Sequence, residues 1–322
     1  MRHFTSVNDV VDINALVQSA IDLKKAPFAN KSLGENKIIG LIFLNPSLRT
    51  RISTQKAAMN LGMNVIVMNM DKEGWALETQ DGVVMNHNTV EHIKEAAAVM
   101  GSYCDIIGVR AFPKLVDKQE DYSEDFFNKF IKYANCPIVS LESATLHPLQ
   151  SLADLVTINE LTAHNPAFTN RKPKVVLTWA PHIKSIPQAV PNSFAEWMCK
   201  ADVDFVITHP KRYELDTKYT NGAKITHDQN EALKDADFVY VKNWSSYEDY
   251  GKVLCMDSNW MLTQDKLAIT NSAKIMHCLP VRRGVELADE VLDGENSIVL
   301  KQAENRVWSA QAVLLEILKG KK

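Results

Sequence analysis

The chain has 322 residues, 46% of them apolar, with 36 Lys plus Arg against 39 Asp plus Glu, which is enough to bury the cores of about two domains. The nearly balanced charge offers no basic surface for a nucleic-acid backbone or an anionic membrane, and the longest apolar runs fall far short of the roughly 20 residues that cross a bilayer. The polar start has no signal-peptide core, and Cys104, Cys136, Cys199, Cys255 and Cys278 lack the paired spacing of a disulfide framework or zinc ribbon, so the expected location is cytoplasmic.

In chain order, short branched apolar runs bounded by turn residues alternate with amphipathic stretches, the pattern of parallel strands joined by crossover helices. The fold class is α/β, with two doubly wound parallel-sheet domains of similar size joined by crossing helices. Strands are expected at residues 37–44, 65–70, 104–109 and 137–141, with helices at 48–61 and 92–101. A long helix at 149–162 leads out of this series. The second series has strands at 174–178, 204–208, 237–241 and 274–278, interleaved with helices near 192–200 and 230–234. A last helix over 303–318 carries Val307, Ala310, Leu314 and Ile317 at helical spacing and packs back on the first domain. The domains are therefore 1–150 plus 305–322, and 151–304. Two stretches break the pattern, a polar one at 71–91 around Trp75 and an acidic, solvated one at 112–122; long loops of this kind commonly carry function.

The sharpest motif is Asn45-Pro46-Ser47-Leu48-Arg49-Thr50-Arg51, which leaves a strand and opens a helix. Backbone N–H groups at a helix start attract anions, and Ser47 and Thr50 add hydroxyls. The arginines oppose the helix dipole, a conflict that an external anion resolves; the plainer alternative is a Ser cap with arginines paired to surface carboxylates. Arg110 ends a strand, at the sheet edge where open α/β folds bind ligands. His147-Pro148-Leu149-Gln150 opens the next helix, where His147 can donate to a carbonyl oxygen and Gln150 can read an amide, or His147 can simply cap. His182, Lys242 and His277-Cys278-Leu279-Pro280 all follow strands of the second series; Cys278 alone reads as an inert buried thiol. Glu304-Asn305-Arg306 is read as the opening of the final helix. Arg49, Arg110 and Arg306 together suggest an anionic, phosphate-bearing substrate. No Walker motif and no Gly-x-Gly-x-x-Gly follows a strand, and no His/Cys/Asp cluster has ligand spacing, so neither a cofactor nor a metal is expected.

Ser47-Leu48-Arg49-Thr50-Arg51, His147-Pro148-Leu149-Gln150 and His277-Cys278-Leu279-Pro280 resemble, in order, the three signatures of the aspartate/ornithine carbamoyltransferase family, and the resemblance covers nearly the whole chain. Within it the chain is most similar to the N-acylornithine branch. Leu48 stands where ornithine enzymes typically have Thr. In Tyr240-Val241-Lys242-Asn243-Trp244, Lys242 replaces the Asp that ordinary ornithine enzymes use to hold a free α-ammonium. An ammonium facing an ammonium repels, whereas acylation removes the α-charge and leaves a carboxylate for the lysine. Val90 occupies a position where acetyl-type relatives carry Glu and succinyl-type ones Pro; an uncharged residue leaves room for a succinyl carboxylate, with Lys184 as its cation.

The resemblance implies a homotrimer in which Trp75 reaches a neighbouring subunit's site. It implies transfer of the carbamoyl group of carbamoyl phosphate to the δ-amine of N2-succinyl-L-ornithine in arginine synthesis, with N-acetylornithine, free ornithine and a non-catalytic anion-binding scaffold as successive alternatives. By the same resemblance, Ser47, Leu48, Arg49, Thr50, Trp75 and Arg110 bind the phosphate, and Arg110, His147 and Thr50 polarise the carbonyl. Pro148, Leu149, Gln150, Cys278, Leu279 and Arg306 complete the carbamoyl side; Glu142, His182, Lys242, Arg282, Val90, Phe112 and Lys184 form the acceptor side.

Overall fold

The computed structural model describes residues 1–70 and 72–320; Asp71, the first residue of the expected 71–91 loop, and Lys321 and Lys322, the last of the expected first domain, lie outside the described residues. The chain divides into two compact units, one of Met1–Lys114, Gln119–Leu149 and Arg306–Lys322, the other of Leu115–Lys118 and Gln150–Asn305.

The first unit follows α1 (Ile13–Lys25), β1 (Ile38–Phe43), α2 (Arg49–Asn60), β2 (Asn64–Asn69), β3 (Leu77–Glu78), β4 (Glu91–His92), α3 (Ile93–Tyr103), β5 (Ile106–Arg110), α4 (Lys118–Ser123), α5 (Asp125–Tyr133) and β6 (Ile138–Glu142). Its main sheet is wholly parallel in the order β2-β1-β5-β6. Strands β5 and β6 are buried at every position, which is why they read as continuous apolar runs instead of alternating ones. The chain first adds β2 on one side of β1 and then crosses back to add β5 on the other, so its direction of growth reverses between β1 and β5. Such a reversal leaves the loops after the two central strands splayed apart, open to a ligand.

Phe4 covers the outer edge of β6: its N–H donates to the Ile138 carbonyl at 2.9 Å and its carbonyl accepts from Ser140 at 2.8 Å. Helices α1 and α5 are absent from the sequence expectations, although α1 buries Leu16, Val17, Ala20 and Leu23, and Asp12 caps it by accepting from Ala15 at 3.0 Å. The stretch expected as a solvated loop at 112–122 instead contains the start of α4, because Asp121 is buried and accepts the Lys114 N–H at 2.9 Å.

The second unit starts within α6 (Pro148–Thr162) and continues through β7 (Lys174–Trp179), α7 (Ala189–Met198), β8 (Asp204–Thr208), α8 (Thr217–Thr220), β9 (Lys224–Thr226), α9 (Gln229–Leu233), β10 (Phe238–Lys242), α10 (Gln264–Leu267), β11 (Lys274–Met276) and α11 (Asp289–Leu292) into α12 (Val299–Lys319). Its parallel sheet has the order β11-β10-β7-β8-β9, with the same reversal, here between β7 and β10. The fifth strand, β9, is short and lies mostly exposed at the edge, too brief to stand out as an apolar run. Phe194 of the fully buried α7 packs against Tyr240 at 4.4 Å between ring centroids and against Phe205 at 5.8 Å.

Helix α12 begins at Val299, not near residue 303, since Leu300, Lys301, Gln302 and Ala303 are all good helix formers. Arg306 is therefore an interior residue of a helix and does not open one. From Arg306 onward the helix packs in the first unit. Ala310, Leu314 and Ile317 are buried, Gln311 donates to the Pro27 carbonyl at 2.6 Å, and Asn60 donates to Gln311 at 2.9 Å.

Two glycines in the first unit are fixed by geometry. Gly62, at φ 84°, ends α2 in the left-handed conformation. At Gly101 in α3 an added Cβ would sit 1.5 Å from the Ala134 carbonyl oxygen. Gly101→Ala is expected to force α3 away from that turn and to lower stability by at least about 1–3 kcal/mol, read as a lower urea midpoint; an unchanged midpoint would contradict the packing described.

Candidate active site

In the first unit the reversal places Leu44 to Thr50 beside Arg110 to Phe112. The pair is tied by the Leu44 N–H to the Arg110 carbonyl at 3.0 Å and the Phe112 N–H to the Asn45 side chain at 2.7 Å. Helix α2 starts on this loop. Its cap residue is Leu48, which makes no side-chain cap bond, so Ser47 does not act as an ordinary cap. No acidic residue lies in that first turn, while Arg49 and Arg51 do. Arg51 is structural, donating to Asn69 at 2.8 Å. Thr50 is buried and accepts from the Arg306 guanidinium at 2.9 Å.

Arg110 is buried where β5 ends. Its guanidinium donates to Glu142 at 2.5 Å and lies 4.3 Å from the Phe112 ring centroid. Glu142 ends the neighbouring β6 and also lies 3.4 Å from His147 Nε2. The turn that delivers His147 is held by Glu124, which accepts from the Ser143 hydroxyl at 2.6 Å, the Thr145 N–H at 2.8 Å and the Thr145 hydroxyl. Pro148 then occupies the first position of α6, where its missing N–H costs nothing, and the Leu149 carbonyl accepts from Ser309 at 3.0 Å. Burial, followed by the charges of Arg306, Arg110 and Arg49, holds the His147 imidazole well below its ordinary pKa, so it is neutral at pH 7. The arginines named from sequence thus all act on one imidazole.

Trp75 and Val90 lie elsewhere in this unit, just before β3 and β4 and so at the same end of that small parallel pair. Trp75 is half-exposed, donates to Glu91 at 2.9 Å, and lines a cavity of about 460 Å³ with Leu44, Met70, Leu77 and Phe126. Val90 is 67% exposed.

In the second unit the reversal sets the loop after β7 against the loop after β10. The Ala180 N–H reaches the Lys242 carbonyl at 3.2 Å, and Asn243 donates to the Ala180 carbonyl at 2.6 Å. His182 Nε2 accepts from Arg282 Nε at 3.0 Å, which leaves the proton on Nδ1 to donate to the Lys184 carbonyl at 2.9 Å. The Lys184 side chain itself is exposed. Lys242 is buried, and its ammonium donates to the Asn243 carbonyl at 3.0 Å.

The sequence reading missed Glu286. Burial acts to raise this carboxyl, but the hydrogen bond from His277, the Lys242 and His277 charges and the Arg282 N–H outweigh it and hold the group down to about 2. Its partners lie at 2.9 Å (Arg282 N–H) and 3.4 Å (His277 Nε2). The buried Lys242 charge is therefore balanced in part by a carboxylate of its own unit. Gln150, read from sequence as a free amide reader, spends one donor on Asp154 at 2.7 Å; Gln302 also donates to Asp154, at 2.7 Å, and accepts the His277 N–H at 2.9 Å. That chain fixes the loop carrying Cys278 and Leu279, where Leu279 adopts φ 55°. The i,i+4 spacing of Gln150 with Asp154 on α6 was the available signal for that bond; Glu286 meets the Arg282 backbone N–H outside any helix, where no spacing rule marks it.

The sequence profile of the aspartate/ornithine carbamoyltransferase carbamoyl-P binding domain matches residues 2–160, and that of the Asp/Orn binding domain matches residues 187–317. The chain belongs to the aspartate/ornithine carbamoyltransferase family. It is 49% identical to the N-succinylornithine carbamoyltransferase of Bacteroides fragilis (strain 638R), over 99% of each chain. It is 35% identical to the N-acetylornithine carbamoyltransferase of Xylella fastidiosa (strain Temecula1), over 98% of each. Among solved structures, a glutamate-to-valine variant of N-acetyl-L-ornithine transcarbamylase, complexed with carbamyl phosphate and N-succinyl-L-norvaline, superposes with a TM-score of 0.91 at 33% identity, covering 98% of this chain and 100% of that one. As a family carbamoyltransferase, the chain keeps its two buried acid–base clusters in separate units: Glu142 with Arg110 and His147, Glu286 with Lys242 and Arg282. Glu142, an expected acceptor-side residue, belongs to the first unit, whereas His182, Lys242 and Arg282 belong to the second.

These clusters set the acid response. The folded Glu286 carboxyl ionises below the ordinary 4.5, so its stabilisation is complete above pH 4.5 and is lost as pH falls toward 2. Folded His147 resists the proton that the unfolded chain accepts near 6.5, so stability also falls as pH drops below that value. In urea unfolding across a pH series, His147→Gln is expected to flatten the loss that starts below pH 6.5 and Glu286→Gln the loss below pH 4.5. Variants that keep the wild-type pH slope would contradict the assignments.

Proposed function

We propose that the protein transfers the carbamoyl group of carbamoyl phosphate to the δ-amine of N2-succinyl-L-ornithine, giving N-succinyl-L-citrulline and phosphate. The observation that carries this reading is Lys242: a buried ammonium at the end of β10, whose charge acts on the Glu286 carboxyl of the same unit. The 49% identity over the whole chain to an N-succinylornithine carbamoyltransferase supports the same acceptor.

In this reading the phosphate sits on the uncapped start of α2, against the Ser47 and Thr50 hydroxyls and the Leu48 N–H, with Arg49 and Arg110 pairing to its oxygens. Trp75, on the loop before β3, closes over the carbamoyl phosphate of a neighbouring subunit in a homotrimer. Arg110, Thr50 and His147 converge on the carbonyl oxygen. A neutral His147 donates a hydrogen bond to the developing oxyanion without attracting the phosphate charge to itself. Arg306 holds Thr50 in place and adds positive field. Gln150, oriented by Asp154, and the carbonyls of Cys278 and Leu279 hold the carbamoyl NH₂, with Pro148 and Leu149 fixing the helix start.

The acceptor carboxylates face Lys242, Arg282 and Lys184; His182 orients Arg282, and Glu142 accepts from the incoming amine. Phe112 and Val90 border the acyl group. The δ-nitrogen then bonds to the carbonyl carbon, the carbon–oxygen bond to phosphorus breaks, and the departing phosphate takes the amine proton. Orientation of the two substrates supplies much of the rate. The described residues include all five cysteines and hold no disulfide, which supports a reducing, cytoplasmic location; no helix among the described residues is long and apolar enough to cross a membrane.

Product formation from carbamoyl phosphate and N2-succinylornithine tests the reading, and its absence would leave an anion-binding scaffold. His147→Asn is expected to lower kcat by about 10²–10³. Val90→Glu is expected to depress turnover of succinylornithine while sparing acetylornithine. The solved complex of a glutamate-to-valine variant with N-succinyl-L-norvaline supports this acyl assignment, and equal losses on both acceptors would remove it.

A further inference from the structure

Away from these residues, β8 and β9 pair in parallel with Thr208 opposite Thr226, so His209 and His227 leave the second sheet side by side. Glu214, on the loop after His209, completes a trio whose ligand-capable atoms all lie within 4.8 Å of one another. His209 is 1% exposed, and its Nε2 is buried without a hydrogen-bond partner among the described residues. Both imidazoles are oriented from behind: His209 Nδ1 lies 2.9 Å from the Pro210 carbonyl, and His227 Nδ1 lies 3.0 Å from the His209 carbonyl. A carbonyl can only accept, so each Nδ1 carries the proton and each Nε2 presents a lone pair. That is the arrangement that outer partners impose on metal-binding histidines.

We propose that His209, Glu214 and His227 form a binding site for a divalent transition metal of the zinc class, with the two Nε2 atoms and one Glu214 oxygen as ligands and water in the fourth position. Two imidazoles, one carboxylate and an open position are a recurrent zinc set. Tetrahedral bonds of the usual length separate donors by about 3.3 Å, close to the 3.7 Å between His227 Nε2 and Glu214. His209 is the fixed, buried donor, and the exposed side chains of Glu214 and His227 close the remaining gap. The alternative, an ordinary exposed His–Glu ion pair, leaves the buried Nε2 of His209 unexplained. The sequence expectation of no metal rested on ligand spacing along the chain, whereas here sheet pairing brings the ligands together. The His209 ring also meets Trp244 edge-on at 6.1 Å between centroids, so a bound ion would stiffen the wall behind the loop that follows Lys242.

The test uses the full chain, stripped with chelator and titrated with Zn²⁺ by calorimetry and with Co²⁺ by visible absorption. One Zn²⁺ per chain is expected, with the d–d bands of four-coordinate, nitrogen- and oxygen-ligated Co²⁺. His227→Gln and Glu214→Gln, both at exposed positions, should each weaken Zn²⁺ binding at least about tenfold while keeping the chelator-treated urea midpoint. Unchanged affinity in both variants, no stoichiometric uptake by the wild type, or a thiolate-to-cobalt charge-transfer band would each overturn the proposal.

Discussion

A parallel sheet whose growth reverses direction leaves two neighbouring strand ends uncovered, and much of the chemistry of this chain gathers around such ends. In the first unit they are β1 and β5, in the second β7 and β10. The strands themselves are buried apolar runs that tolerate no charge along their length, so charged side chains collect where the strands stop. Arg110, Glu142 and Lys242 are each the last residue of a strand. Position in the sheet, not local propensity, makes these residues a site.

Buried charges must then be balanced, and the two units do this in the same way with opposite emphasis. In the first, one carboxylate, Glu142, faces Arg110, while Arg49 and Arg306 add to the positive field felt by His147. That excess suits a dianionic phosphate. In the second, Glu286 offsets Lys242 and is itself kept ionised by His277 and the Arg282 N–H. Removing either partner of the buried Arg110–Glu142 pair typically costs about 3–5 kcal/mol, so that pair is a fixed part of the first unit. A second ammonium brought beside Lys242 would find the Glu286 carboxylate already engaged by His277 and the Arg282 N–H.

Much of this was legible in the sequence, for identifiable reasons. The inner strands of each sheet, buried along nearly their whole length, announce themselves as apolar runs, and the motifs around Arg49, His147 and Cys278 sit beside strand ends that such runs define. The edge strand β9 is three residues long and yields no clear period; α5 is amphipathic, with Phe127 and Phe130 buried, but its nine residues lie next to an acidic stretch that reads as loop. Glu286, Glu124 and Asp154 escaped because their roles come from what they hold: His277 with the Arg282 backbone, the turn before His147, and the amides of Gln150 and Gln302. Arg306 was recognised for its charge but misplaced at a helix start, since the chain gives no stop signal between Val299 and Arg306. The trio of His209, Glu214 and His227 depends wholly on the register of β8 with β9 and is invisible to any spacing rule.

The central claim is that the charge at Lys242 selects an acceptor whose α-nitrogen is acylated. The most direct measurement is the kcat/KM of the wild-type protein for free L-ornithine against N2-succinyl-L-ornithine at saturating carbamoyl phosphate. Like charges brought together cost several kcal/mol, so free ornithine should be poorer by about 10³-fold. Comparable turnover of the two acceptors would contradict the account.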